Sequence, residues 1–123
     1  MGSKGRSERE RFIRSFSYAW DGIKSTFRSE RNFQIHTVIC ILVAAAAFFY
    51  HITLTEWLIV LFLIGGMLSL ELMNTAVERL VDLVTEEYHP LAKAAKDAAA
   101  GAVLIYAVLA VIIGLIIFIP KIL

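Results

Sequence analysis

Long apolar stretches alternate with short polar segments along this chain. Three of the apolar stretches predict membrane-spanning helices, at 32–50, 57–86 and 91–119. The second is apolar as far as Leu70 and then becomes polar, and Pro120 is expected to end the third because proline cannot continue a helix. Each apolar stretch approaches the ~20 residues that cross hydrocarbon. We therefore predict an all-α integral membrane fold with three transmembrane helices.

Residues 7–28 predict a further, amphipathic helix. Its apolar residues recur at helical spacing on one face: Phe12, Phe16, Trp20, Ile23 and Phe27. Basic side chains surround this face, which is typical of a helix lying in the headgroup plane of a membrane. The alternative is an ordinary helix packed on a soluble core, although little soluble sequence remains to form one.

Composition and charge support a membrane protein and fix its expected orientation. The hydrophobic fraction is 59%, above the roughly 45–50% of soluble domains. Eight of the twelve Lys and Arg lie within the first 31 residues, and the first loop has none. The positive-inside rule then puts the N-terminus and the second loop in the cytoplasm. A basic arm beside membrane spans favours anionic lipid, and not nucleic acid, as its partner.

A stripe of polar residues carries the candidate chemistry: Glu71, Asn74, Glu78 and Asp82. At about 100° per residue these side chains fall within roughly 80° of one another on a helix. Ionisable residues near a bilayer are kept mainly where they line a site. A second polar cluster follows at 87–89 and at Lys96-Asp97. Oxygen ligands for Mg²⁺, a cation and a carboxylate base are the parts that phosphoryl transfer needs.

Structural readings compete with this one. A polar stripe can join helices by hydrogen bonds, and for Thr75 we favour that role. Glu71 could form a structural ion pair, Arg79 is expected to meet headgroups, and the isolated His36 and His51 are not expected to bind metal. A non-catalytic scaffold remains an alternative, whereas an ion carrier would need more polar residues in the other two spans.

Oligomerisation is also expected from the sequence. A single chain is predicted to leave much of the 71–82 stripe facing lipid, which is unfavourable. Small residues in the third span would allow close approach of helices: Ala94, Ala95, Ala98, Ala99, Gly101 and Ala102. Gly65-Gly66 is expected to serve close packing as well, because it lacks the Lys-Ser/Thr of a phosphate-binding loop.

The stripe, with Thr75 and the later Ala95-Lys96-Asp97, resembles the prokaryotic diacylglycerol kinase family over nearly the whole chain. The resemblance implies three spans, a surface helix, a homotrimer, and ATP and Mg²⁺ as requirements. Residues 31–34 and 89–101 look like the Gram-positive branch, which phosphorylates undecaprenol. Gram-negative diacylglycerol kinases tend to carry an acid where this chain has His36, so diacylglycerol is the alternative substrate.

The resemblance also implies roles for individual residues. Glu71 matches the catalytic base, Asn74 matches an active-site polar residue, and Glu30 and Glu78 match metal-binding carboxylates. The nucleotide-contacting positions are Arg11, Tyr18, Glu87, Tyr88, His89, Lys96 and Asp97. Lys96 would also offset charge on the transferring phosphate. Each site is built from neighbouring protomers, and the enzyme would lie in the bacterial cell membrane with its site facing the cytoplasm.

Overall fold

The computed structural model of the protein describes residues 7–123, and this part of the chain is almost entirely helical. The helices are α1 (Glu8–Ser29), α2 (Arg31–Phe49), α3 (Leu54–Val84) and α4 (Pro90–Ile122). The last three are long and apolar enough to cross a membrane. The predicted all-α architecture with three candidate membrane spans is therefore confirmed.

The boundary between α1 and α2 is a single extended residue, Glu30. Its backbone N–H still donates to the carbonyl of Thr26 at 2.8 Å, which closes the last turn of α1. Across the break, Gln34 Nε2 donates to the carbonyl of Phe27 at 2.7 Å. The rings of Phe27 and Phe33 also meet edge to face. These contacts hold the Glu30 carboxylate at a fixed corner between two helices.

A short turn joins α2 to α3. His51 adopts a left-handed backbone conformation, with φ of 51°, and lets the chain reverse direction. Thr53 and Glu56 then form a reciprocal capping box, with bonds of 2.9 and 3.2 Å between side chains and backbone. This cap explains why the helix begins at Leu54, before the aromatic Trp57 that marks the predicted start of the span.

Pro120 does not end α4, contrary to the prediction from sequence. The helix continues through it to Ile122, and the backbone N–H of Leu123 still donates to the carbonyl of Ile119 at 3.1 Å. Proline removes only its own N–H bond, and so close to a helix end little of the ladder remains to be broken. The extra turn brings Lys121 Nζ within 3.0 Å of Glu56 Oε1, so an ion pair joins α4 to the start of α3.

Helix α3 is central: it packs extensively on α4, less on α2, and touches the end of α1. Close to its middle, the Tyr106 hydroxyl donates to the carbonyl of Phe62 at 2.8 Å. The Tyr106 ring passes directly over Gly66, where a Cβ atom would collide with it. The expectation of close packing at Gly65-Gly66 is thus confirmed for Gly66, whereas Gly65 has open space beside it.

Candidate active site

Glu71 is the most deeply buried carboxylate of the described residues, with 3% of its surface exposed. It lies one turn beyond the buried Met67 on α3, facing α2. There, His36 Nε2 lies 3.1 Å from Glu71 Oε1. The sequence did not foresee this partner: His36 was expected to stand alone. The two residues are 35 positions apart in the sequence, so their contact becomes apparent only when the packing of the helices is known.

The other stripe residues become more accessible along α3. Thr75 is buried, Asn74 and Glu78 are half-buried, and Asp82 is exposed. The expectation that a single chain leaves much of this stripe facing lipid is therefore wrong at its deep end. There Glu71 and Thr75 are already buried within the single chain, and Glu71 contacts His36 of α2.

Asn74 presents a buried polar atom without a partner. Among residues 7–123, none donates a hydrogen bond to its Oδ1 atom. Buried amide oxygens are normally paired, and an unpaired one is unfavourable by about 1–3 kcal/mol. An amide oxygen held open beside a buried carboxylate is suited to accept from a ligand, and this supports Asn74 as a site residue.

Lys96 and Asp82 link α4 to the exposed end of the stripe. Lys96 Nζ lies 2.6 Å from Asp82 Oδ1, and the charge of Glu78 also acts on this ammonium group. Asp97 is engaged one residue further on, by Lys93 from the preceding turn of α4. The ammonium group of Lys96, the cation of the predicted site, is thus held beside the polar stripe by the carboxylate of Asp82.

Glu30 and Glu78 lie close enough to Glu71 for their charges to act on its carboxylate. Both are half-buried. Within residues 7–123, His, Cys, Asp and Glu form no group of three or more that could enclose a metal ion. The two carboxylates of Glu30 and Glu78 are chemically suited to Mg²⁺, which commonly takes only one or two carboxylates and completes its shell with phosphate oxygens and water. Binding of the ion at this place stays a prediction.

Arg79 stabilises this corner in a way that the sequence did not indicate. Its Nη2 atom donates to Ser29 Oγ at 2.9 Å, across 50 positions of the chain. Ser29 is the residue before Glu30, so the bond fixes the end of α1 against α3. The expected headgroup contact of Arg79 stays a prediction, since no membrane is present.

The remaining predicted nucleotide residues lie on exposed surfaces. Arg11 and Tyr18 project from α1, and Glu87 and Tyr88 lie in the link between α3 and α4. His89 caps α4: its Nδ1 atom accepts from the backbone N–H of Leu91 at 3.1 Å. The role of these side chains in binding nucleotide stays a prediction.

An apolar groove runs between α2 and α4, with α3 as its floor. Its cavity of about 390 Å³ is lined along its length by aliphatic side chains, and ends near Phe118. At the other end it reaches His36 and Met67, which adjoin Glu71. The groove therefore connects an aliphatic channel to the buried carboxylate.

Known proteins resemble this chain over most of its length. The sequence profile described as prokaryotic diacylglycerol kinase matches residues 17–118. The chain is 55% identical over 116 residues to the undecaprenol kinase of Bacillus subtilis, covering 94% of both chains. It is 44% identical to a diacylglycerol kinase of Synechocystis, over 89% of this chain and 63% of that one. The diacylglycerol kinase of Escherichia coli K12 is 29% identical over 83% of this chain and 84% of its own.

Proposed function

We infer the chemistry of this protein from one premise: the chain belongs to the prokaryotic diacylglycerol kinase family. It is a lipid kinase, a phosphotransferase with a lipid alcohol as acceptor and ATP as donor. We propose that the acceptor is undecaprenol and the product undecaprenyl phosphate. The strong similarity to an undecaprenol kinase over nearly the whole chain favours this lipid, and more distant diacylglycerol kinases make diacylglycerol the second candidate.

The observation that carries the proposal is the buried carboxylate of Glu71 beside the apolar groove. A lipid alcohol with its chain along the groove brings its hydroxyl to Glu71. Glu71 takes the hydroxyl proton, the oxygen forms a bond to the γ-phosphorus, and the bond from phosphorus to the β-phosphate oxygen breaks. ADP leaves with that electron pair. Positioned base catalysis of this kind contributes typically 10²–10⁴-fold.

Glu30 and Glu78 are the carboxylates that would hold Mg²⁺, with Asn74 Oδ1 as a further acceptor for a ligand water or hydroxyl. When bound, Mg²⁺ neutralises charge on the β- and γ-phosphates. Lys96, on α4, would also neutralise charge on the phosphates, because its ammonium group can turn from Asp82 to phosphate oxygens. Asp97, His89, Tyr88, Glu87, Tyr18 and Arg11 are the proposed nucleotide contacts.

The membrane arrangement follows from charge and exposure. We place the N-terminus, the link between α3 and α4, and the active site in the cytoplasm, where most Lys and Arg lie. Helix α1 lies on the membrane surface, because its apolar face is uncovered by the rest of the chain, with Phe12 and Phe16 about two-thirds exposed.

We propose that the active unit is a homotrimer with composite sites. Tyr18, Glu87 and Tyr88 are exposed in the single chain, so a neighbouring protomer would complete the nucleotide side of the site. Mixing inactive Glu71→Gln chains with inactive Lys96→Ala chains should restore activity if the two residues act from different protomers. Crosslinking that yields only monomers from a fully active preparation would contradict the trimer.

The acceptor is tested by offering undecaprenol and diacylglycerol separately, with γ-labelled ATP and Mg²⁺, to purified protein in mixed micelles. We expect label in undecaprenyl phosphate at a substantially higher kcat/KM than in phosphatidic acid. The Glu71→Gln variant measures background transfer in both arms. A higher kcat/KM with diacylglycerol would show that diacylglycerol, and not undecaprenol, is the preferred acceptor. Transfer to neither lipid would favour a non-catalytic scaffold.

A further inference from the structure

The imidazole of His36 lies against the Glu71 carboxylate, with Nε2 3.1 Å from Oε1. Glu71 is almost wholly buried, and the His36 side chain is one-quarter exposed. A carboxylate removed from water needs a hydrogen-bonding or cationic partner, and otherwise its charged form is strongly disfavoured. Helix α2 supplies that partner from outside the polar stripe.

His36 also occupies a defined place in the groove. It lines the cavity together with Met67 and contacts Glu71 at 3.1 Å. The other end of the groove is aliphatic, so an alcohol group that arrives with an apolar chain meets polar side chains at this end only. His36 therefore lies between the acceptor's path and the base.

We propose that His36 is the positioning residue of the catalytic base: its Nε2 atom holds the Glu71 carboxylate in the orientation that receives the acceptor hydroxyl proton. This inference rests on the proposed function, since it concerns how that reaction is set up. A base must lie within about 2.6–3.2 Å of the oxygen atom whose proton it takes, and such contacts tighten when substrates bind. The imidazole itself forms and breaks no covalent bond in the reaction.

The position of His36 on α2 explains how the contact is maintained. Phe33, one turn earlier, is buried and is held against Phe27, and Thr37 Oγ1 bonds back to the Phe33 carbonyl at 2.7 Å. This segment is thus anchored to the end of α1. The anchoring limits sliding of α2 along α3, and with it any shift of His36 away from Glu71.

Kinetics of matched variants test the proposal. His36→Leu removes Nε2 but keeps an apolar side chain, and we expect kcat for lipid phosphorylation to fall roughly 10- to 100-fold, as for a lost hydrogen bond to a charged group. The KM for ATP should stay unchanged. His36→Gln keeps an N–H donor at similar reach and should recover most of the lost kcat. His51→Asn, at the distant turn, is the control and should behave like the unmodified protein.

Two further results keep the inference falsifiable if His36→Leu folds poorly. In Glu71→Gln protein, adding His36→Leu should cause no further loss, because residues that act as a unit are not additive. In protein with ¹⁵N-labelled histidine, Glu71→Gln should shift the ring signals of His36 but not those of His51 or His89.

The outcomes are distinct. Unchanged kcat in His36→Leu, equal losses in the Leu and Gln variants, additive losses with Glu71→Gln, or unmoved His36 signals would each overturn the positioning role. Absence of transfer to any lipid alcohol by the unmodified protein would instead overturn the proposed function, together with this inference that depends on it.

Discussion

Lys96 Nζ lies 2.6 Å from Asp82 Oδ1, and this ion pair joins α4 to the accessible end of the acidic stripe. Both side chains remain partly exposed, so the pair itself adds little to stability. Its value is positional: Asp82 holds the ammonium group near Glu78 before a nucleotide arrives. If Lys96 binds nucleotide as proposed, incoming phosphates would have only to replace the Asp82 carboxylate, and the lysine side chain would not have to be ordered first.

The first prediction concerns Lys96. Replacing it with methionine keeps the aliphatic stem but removes the charge, so kcat/KM for ATP should fall roughly 10- to 100-fold, as expected for lost charge-assisted hydrogen bonds. Initial rates against ATP concentration give the value. Lys24→Met, on α1 with only a 3.9 Å approach to Asp21, is the control. Wild-type ATP kinetics in Lys96→Met would rule out the phosphate role.

The second prediction concerns Glu71. Glu71→Gln should keep nucleotide binding and the oligomer but lower lipid phosphorylation by about 10²–10⁴-fold, because an amide cannot take the hydroxyl proton. Single-turnover transfer and equilibrium ATP binding separate the two effects. Glu86→Gln, an exposed acid in the link after α3, is the matched control. Near-normal transfer by folded Glu71→Gln protein would remove Glu71 from the role of base.

The third prediction concerns metal dependence. Glu30→Ala and Glu78→Ala should each raise the Mg²⁺ concentration needed for half-maximal activity at fixed ATP, since each removes an oxygen ligand beside the phosphates. Glu86→Ala should leave the Mg²⁺ titration unchanged. If both site variants titrate like the unmodified protein, neither carboxylate holds the metal.

The fourth prediction concerns α1. In a Cys40→Ala background, single spin labels placed at each position from Glu8 to Ser29 should alternate between lipid and water accessibility with a helical period. Maximum contact with lipid-soluble oxygen is expected at Phe12 and Phe16. Uniform accessibility to a water-soluble nickel reagent along the helix would exclude a membrane-surface location.

The fifth prediction concerns Gly66. Gly66→Ala should destabilise the folded protein by about 1–3 kcal/mol, because the new Cβ atom collides with Tyr106. Gly65→Ala has open space and should be neutral or slightly stabilising. Unfolding in mixed micelles of increasing denaturing detergent gives both values. Adding Tyr106→Leu should suppress most of the Gly66→Ala penalty, and equal destabilisation by the two alanines would contradict the packing seen here.

Much of this structure could be predicted because helical periodicity is local information. The three candidate spans, the helix α1 and the common face of Glu71 and Glu78 all follow from spacing along one helix. Contacts between helices do not, since they depend on relative rotation and register. For that reason neither the contact of His36 with the buried Glu71 nor the bond from Arg79 to Ser29 could be predicted from the sequence.

Pro120 shows a different limit. Proline ends a helix when it breaks hydrogen bonds that the following turns need. At Pro120 less than one turn of α4 remains, so the helix continues through it. The signal that could have corrected the prediction was Lys121, a cation placed to meet Glu56 only if the helix continued.

The length of α3 sets the depth at which chemistry happens. Its 31 residues extend about 46 Å, whereas bilayer hydrocarbon is about 30 Å thick. In the proposed orientation, the pair of Lys121 and Glu56 lies at the end of the hairpin away from the cytoplasm, so the surplus length of α3 would lie on the cytoplasmic side, beyond Glu71. ATP would then bind outside the hydrocarbon core of the bilayer, while the apolar chain of the acceptor stays within that core. Only one phosphoryl group would then have to move, over a few ångströms. The prenyl chain would not have to enter water, and the nucleotide would not have to enter the lipid.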